Sequence, residues 1–187
     1  MIDIFLSASV PLPTRNRQYF ASADVLYIRE AVKALVEVVL PIGRITYGGH
    51  PAITPLIAHF VEESGLPRDR LTIFQSAFFD GRMPEQNSAF YDVRIIAADR
   101  NRKLSLASMR AEMISSRNFG AAVFIGGMEG MEEEARLFTE QHPQALKLPI
   151  ASTGAAAARL FHAGEYPQDL NDELTFISLF RRHLTTD

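Results

Sequence analysis

Residues 120–134 read GAAVFIGGMEGMEEE, and this segment indicates the fold class of the whole chain. Residues 120–125 form an uninterrupted apolar run, which is typical of a strand that is buried on both faces of a sheet. A pair of glycines ends the run, and a helical pattern follows over residues 131–141. The segment therefore predicts a strand, a tight loop and a helix, which is the repeating unit of a parallel α/β sheet.

The same alternation of short strands and longer helices runs along the chain. Strands are predicted over residues 2–9, 44–47, 71–75, 93–97, 120–125 and 145–150. Helices are predicted over residues 23–40, 51–63, 105–116, 131–141, 155–162 and 174–184. We expect a single Rossmann-like domain over residues 1–187, with a doubly wound, mainly parallel sheet of about six strands flanked by helices.

Composition limits the classes of function. A chain of 187 residues with 47% hydrophobic content can bury one good core, and its net charge of −3 disfavours nucleic acid as the main partner. The absence of cysteine excludes disulfides and thiolate metal sites. The first residues lack the basic start of a signal peptide, and no apolar run reaches the roughly 18 residues of a membrane span. We expect a cytoplasmic protein that does not bind membranes.

The first glycine pair, Gly48 and Gly49, follows the second predicted strand. Paired glycines allow positive φ angles and let a ligand approach the backbone, and a helix that begins at Pro51 would offer free N–H groups. We therefore expect Gly48, Gly49 and His50 to bind a phosphate or carboxylate. The alternative is that this glycine pair only forms a tight turn.

The second glycine loop comprises Gly126, Gly127, Met128, Glu129 and Gly130. In a doubly wound sheet the loops at the carboxyl ends of the strands meet at one edge, so both glycine loops are expected to line one pocket for a nucleotide-type ligand.

Three glutamates follow the second loop, and acidic residues favour the first turn of a helix through its dipole. This explanation suffices for Glu132. Either Glu133 or Glu134 must lie close to the loop, where a carboxylate can bind ribose hydroxyls or polarise a water molecule.

Further contacts to the same ligand are expected from Ser7 and Ser9 at the end of the first strand, from Arg15 in the loop that follows, and from Thr153 before the alanine-rich helix. Turn formation, solvation and helix capping are the respective structural alternatives. No histidine has metal-ligand spacing, so we expect no metal site and no required cofactor.

The long segment 76–91 is rich in aromatic residues and contains Arg82, which either caps the pocket or belongs to a solvated rim. A connection of this length is usually functional. We expect a homodimer or larger assembly whose interface involves residues 78–91 and the helix 105–116, because aromatic and methionine side chains are abundant there. The alternative is that they complete the core of a monomer.

The two loops together resemble those of the SLOG superfamily, a Rossmannoid group that contains the LOG phosphoribohydrolases, the DprA/Smf proteins and nucleotide-sensing domains. The resemblance rests mainly on the pattern Gly-Gly-x-x-Gly-x-x-x-Glu of the second loop. LOG enzymes have Pro-Gly-Gly-x-Gly-Thr-x-x-Glu there, whereas this chain has Ile125 for the proline, Glu129 as an extra residue and Met131 for the threonine. Glu134 matches the family glutamate, with Glu133 as the alternative.

These departures from the enzyme pattern point, by resemblance, to sensor-type SLOG domains of bacterial conflict systems. The resemblance implies an NAD-derived or ADP-ribose-derived ligand, antiphage signalling and an effector protein as a possible partner. The alternative is a phosphoribohydrolase-like enzyme that cleaves the N-glycosidic bond of a nucleoside monophosphate. In such an enzyme Glu134 or Glu133 would act with Arg110, which resembles an arginine on the preceding helix of the LOG enzymes. A third possibility is an assembly protein with no ligand.

Overall fold

The computed structural model describes residues 1–15 and 17–185, and these residues form one sheet of six strands that are all parallel. The strands are β1 (Ile2–Ser9), β2 (Gly43–Gly48), β3 (Leu71–Ser76), β4 (Asp92–Ile96), β5 (Ala121–Gly126) and β6 (Leu146–Ile150). Their order across the sheet is β4-β3-β2-β1-β5-β6. The Rossmann-like α/β fold is therefore confirmed, and the direction of winding reverses between β1 and β5.

Helices cover both faces of the sheet. They are α1 (Arg17–Phe20), α2 (Val25–Val39), α3 (Thr54–Glu63), α4 (Arg102–Ser115), α5 (Glu129–Gln141), α6 (Ala155–Ala163), α7 (Asp169–Asp172) and α8 (Phe176–Leu184). The short helices α1 and α7 were not predicted. None of the helices in the described ranges has the length and apolarity that crossing a membrane requires.

The strand β1 shows how the two faces are filled. Ile4 and Leu6 pack into the apolar cluster that includes residues of α2, α3 and α8, whereas Phe5 packs into a second cluster with residues of α4 and α5. All three side chains are almost completely buried. Successive side chains of a strand point to opposite faces, so a continuous apolar run fits a strand that is covered on both sides.

Five helices begin at positions other than those predicted; α2 and α8 each begin two residues late, and the other three differ as follows. The helix α3 begins at Thr54 rather than at residue 51, whereas α4 begins at Arg102, three residues early, and α5 begins at Glu129, two residues early. Asn101 caps α4, because its side chain accepts a hydrogen bond from the Leu104 backbone N–H. All three differences lie in the loops at the carboxyl edge of the sheet.

Candidate ligand-binding site

A cavity of about 790 Å³ opens at the carboxyl edge of the sheet. Segments that follow β1, β2 and β3 contribute to its wall, together with residues of α4 and α5. It therefore lies where the direction of winding reverses, which is the usual place for a ligand in an open parallel sheet. Its volume is within the range of small-molecule sites in proteins.

Most residues singled out from the sequence line this one cavity. They are Ser7, Ser9, Arg15, Gly48, Gly49, His50, Arg110, Met128, Glu129, Gly130, Glu133 and Glu134. Within the described ranges, Gly126, Gly127 and Thr153 lie outside the lining.

Glu134 is held in place by two elements of the fold. Ser7 at the end of β1 donates from Oγ to Glu134 Oε2 at 2.6 Å, and Arg110 of α4 donates from Nε to Glu134 Oε1 at 3.1 Å. The Arg110 and Glu134 side chains are only 16% and 15% exposed. A Cβ on Gly130 would lie 2.8 Å from Arg110 Nη2, so this glycine leaves room for the guanidinium. The carboxylate is fixed in the cavity wall.

The hydrogen-bond partners of Glu133 and Glu132 are not cavity-lining residues. Glu133 is exposed and accepts hydrogen bonds from Arg136 at 2.8 and 3.0 Å. These bonds hold the pKa of the Glu133 carboxyl below its ordinary value. Glu132 accepts a hydrogen bond from the Tyr19 hydroxyl at 3.0 Å and lies outside the cavity lining of the described residues. Of the three glutamates, Glu134 is thus the one whose carboxylate is partly buried and held within the site.

The second glycine loop shapes the backbone behind the cavity. Gly126 and Gly127 have φ angles of +63° and +87°, in the left-handed region that favours glycine. The Gly127 N–H donates to the Ser9 carbonyl oxygen, and the Gly126 N–H donates to Thr153 Oγ1 at 2.9 Å. Ligand contact was predicted for Gly126, Gly127 and Thr153, but they lie outside the cavity lining. Their hydrogen bonds instead fix the turn that precedes α5.

The first glycine loop differs from the prediction in its backbone. The positive φ angles expected for Gly48 and Gly49 are wrong, because among the described glycines neither has one. A Cβ on Gly49 would lie 1.9 Å from Gln75 Nε2 and 2.9 Å from Ile73 Cγ2. Gly49 is therefore needed because the Gln75 amide occupies the space of a side chain. A Cβ on Gly48 would make only ordinary contact, 3.5 Å from Met109 Cε.

The free N–H groups expected from a helix that begins at Pro51 are a further difference. Because this helix begins three residues late, the backbone N–H groups of Ile53 and Thr54 donate to the His50 carbonyl oxygen. The Ala52 N–H donates to His50 Nδ1 at 3.2 Å. These donors are used within the loop and are not available to a phosphate.

His50 supplies a directed donor. Burial, together with the nearby charge of Arg15, lowers the pKa of the His50 imidazole to about 4, so the ring is neutral near pH 7. Since Nδ1 accepts from the Ala52 N–H, the ring proton resides on Nε2. His50 lines the cavity, where it has one N–H to offer.

Arg102 and Lys103, at the start of α4, line the cavity, but they were not predicted as site residues from the sequence. Their charge is the signal in the sequence. Basic residues without acidic ones in the first turn of a helix are unfavourable for the helix dipole, and this arrangement can mark an anion site. Arg82 also lines the cavity, as expected if it caps the pocket. Within the described ranges these three side chains form no ion pair or hydrogen bond.

The charge balance of the cavity is opposite to that of the chain. Its basic residues are Arg15, Arg82, Arg102, Lys103 and Arg110, and its acidic residues are Glu129, Glu133 and Glu134. Apolar side chains from Leu12, Phe79, Leu106, Met109, Met128 and Met131 complete the wall. A basic and partly apolar cavity in a chain of net charge −3 fits an anionic ligand with a flat apolar part.

A family model described as the SLOG cluster3 family matches residues 18–184. The chain belongs to this family. The SLOG domain has the fold of the X-ray structure of TM1055, a structural genomics target, with a TM-score of 0.58 and 13% identity over 87% of this chain and 81% of that chain. No curated protein gives a significant match. Family membership makes this a nucleotide-related domain.

Proposed function

We propose that this SLOG domain is a sensor that binds a nucleotide or nucleotide-sugar derived from NAD or ADP-ribose, in bacterial antiphage defence signalling. The observation that carries the proposal is one cavity that combines a fixed carboxylate, Glu134, with the cations of Arg82, Arg102 and Lys103, whose side chains have no ion-pair partner in the described part of the chain. A carboxylate accepts hydrogen bonds from ribose hydroxyls, and cations balance phosphate charge.

The cations at the start of α4 support a ligand that carries phosphate. Arg102 and Lys103 lie where the helix dipole is unfavourable for positive charge, so an anion bound between them and the helix end relieves that cost. Arg82 adds a third positive charge from the segment after β3. Three cations in one cavity suit a ligand with more than one phosphate charge, as in ADP-ribose.

One departure from the enzyme pattern favours a sensor over an enzyme. Glu134 does not discriminate between the two, because each of its carboxylate oxygens accepts one hydrogen bond, from Ser7 or Arg110, and keeps a second lone pair for a ligand hydroxyl. Met131 stands where the LOG motif has threonine, and its side chain is 4% exposed and packs beside Gly127. The hydroxyl of the enzyme pattern is thus replaced by a buried thioether.

Occupancy of the cavity is proposed to be reported by self-association or by an effector protein. The segment after β3 and the edge strand β4 expose Phe78, Tyr91 and Ile95, which are 42%, 79% and 51% exposed. Exposed apolar side chains at a sheet edge favour association with another chain. Light scattering over a dilution series with and without ADP-ribose tests this, and a monomer under all conditions contradicts self-association.

Isothermal titration with NAD, ADP-ribose, its cyclic isomers and AMP tests the ligand class. A bound ligand also stabilises the fold by about 2.7 kcal/mol at one hundred times its Kd, which a thermal shift detects. Lys103→Gln is expected to weaken binding about tenfold and to reduce its salt dependence, because one charge-assisted contact is lost.

Lys33→Gln, on α2 and outside the cavity lining, is the matched control and should bind as the wild type does. Failure of every nucleotide to bind refutes the sensor. Release of adenine from AMP that is lost in Glu134→Gln would instead establish the glycosidase.

A further inference from the structure

Gln75 has a buried amide nitrogen at the cavity that none of the described residues pairs. It lies on β3, is 5% exposed and lines the cavity. Its Nε2 has no hydrogen-bond partner among the described residues. Buried polar groups in folded proteins are nearly always paired, so an unpaired donor in a cavity wall calls for an acceptor from outside the chain.

The backbone around this amide is built to accommodate it. Gly49 lies against Gln75 Nε2, and any side chain at that position would displace the amide. The last torsion of a glutamine side chain is soft, so the amide can turn towards a ligand. The next residue after Gly49 is His50, which also lines the cavity and carries its proton on Nε2. The end of the cavity beside β2 and β3 is therefore lined by two polar side chains, Gln75 and His50.

Apolar surfaces accompany these polar groups. Phe79, in the 3-10 helix after β3, lines the cavity and is half-buried, and Met109 and Leu106 of α4 line it as well. Bases are commonly held by stacking on aromatic or apolar side chains while polar groups contact their edge. The phosphate-binding cations Arg102 and Lys103 belong to the start of α4, so the flat part and the charged part of a nucleotide have separate partners.

We propose that Gln75 recognises the adenine base of the ligand, donating from Nε2 to a ring nitrogen and accepting from the 6-amino group at Oε1. A side-chain amide has one donor beside one acceptor, and adenine has the complementary pair, an arrangement that glutamine uses to read adenine in nucleic acids. This proposal rests on the nucleotide-binding function proposed above and assigns the base that the site selects.

The test compares Gln75→Leu and Gln75→Met with the wild type by titration with ADP-ribose and AMP. Each variant removes the amide but keeps similar volume. Affinity for either adenine nucleotide is expected to fall about tenfold, the size of a lost hydrogen bond. The melting temperature of the free protein should stay equal or rise, since an unpaired buried donor is removed. A merely structural glutamine would give the opposite sign in stability. Gln86→Leu, on an exposed 3-10 helix outside this cavity, is the control.

A ligand analogue completes the test. Purine riboside 5′-monophosphate lacks the 6-amino group, so the wild type should prefer AMP over it about tenfold and both Gln75 variants should lose that preference. Unchanged affinity for the adenine nucleotides in both variants, or the same preference in variant and wild type, overturns the assignment of Gln75 while the nucleotide site stands. Failure of the wild type to bind any nucleotide of the panel refutes the proposed function, and the assignment falls with it.

Discussion

The two glycine loops look alike in the sequence but use their glycines in different ways. In the loop after β5, Gly126 and Gly127 adopt left-handed backbone angles, and α5 begins two residues later at Glu129. In the loop after β2 the backbone is ordinary, the helix is delayed to Thr54, and Gly49 serves by leaving space for the Gln75 amide. One pair fixes the direction of the chain, and the other makes room for a neighbouring side chain.

This difference separates stability from binding. The hydrogen bonds of Gly126 to Thr153 and of Gly127 to Ser9 belong to the turn, so they support the fold and the position of Glu134. Gly49 touches the cavity itself. Substitutions in the loop after β5 should therefore act first on folding, and substitutions in the loop after β2 first on the ligand.

The largest effect is expected for Gly126→Ala. An alanine at this position would have to keep a φ angle of +63°. Its Cβ would lie 2.7 Å from the Ser9 carbonyl oxygen, a backbone atom that cannot easily move aside. The free energy of unfolding should drop by about 3 kcal/mol or more. Gly48→Ala is the matched control, because its Cβ meets only the end of Met109, and it should change stability by less than about 1 kcal/mol. Urea denaturation measures both, and equal losses would contradict the distinction between the loops.

Gly49→Ala is expected to cost less stability but to weaken ligand binding about tenfold, as loss of the Gln75 amide does. Its Cβ collides with Gln75 Nε2, the far end of a flexible side chain, so the amide is pushed aside for about 1–2 kcal/mol. Adding Gln75→Ala should restore the stability but not the binding. Denaturation curves and titration with ADP-ribose check this, and a double variant that binds as the wild type does would show that Gly49 acts on the ligand by another route.

The order of the elements could be predicted from the sequence, but the starts of the helices could not. Alternating apolar runs and helical periodicity depend on many residues, whereas the start of α3 depends on how Pro51 and the His50 carbonyl close one turn. Glycine pairs mark the edge of the sheet that carries the cavity. They do not show whether a glycine is required by its φ angle or by a neighbour such as Gln75, which is 26 residues away in the chain.

Local sequence identified several residues that line the cavity, but it did not show how they are arranged around it. Glu134 was predicted from its distance to Gly130 along the chain. Its partners Ser7 and Arg110 come from other elements, and only the register of β1 beside β5 places Ser7 at the carboxylate. Gln75 occupies a position in an otherwise ordinary strand, so nothing local distinguished it from a core residue.

A smaller effect is expected for Glu134→Gln, which tests what the loop after β5 positions. The neutral amide keeps the shape but leaves the partly buried Arg110 without its counter-charge, so stability should fall by about 1–2 kcal/mol and affinity about tenfold. Glu132→Gln, whose partners Tyr19 and Arg159 lie outside the cavity lining of the described residues, should not change binding. Titration with ADP-ribose compares the two, and equal effects would contradict the role of Glu134.

The smallest expected effect is a pH dependence that belongs to the loop after β2. His50 has a pKa of about 4 in the folded protein, lowered mainly by burial, against about 6.5 when unfolded. Between these values the unfolded chain binds a proton that the folded chain does not, so the contribution of His50 is complete above pH 6.5 and is lost as the pH falls to about 4. The ring is half-buried and partly screened by solvent, which reduces the effect to about 1 kcal/mol. The difference in unfolding free energy between the wild type and His50→Gln should therefore shrink by about 1 kcal/mol as the pH falls from 6.5 to 4. A difference in unfolding free energy that is independent of pH from 4 to 7 would show that the imidazole titrates alike in both states, and would remove the argument that His50 Nε2 carries the single ring proton at the ligand.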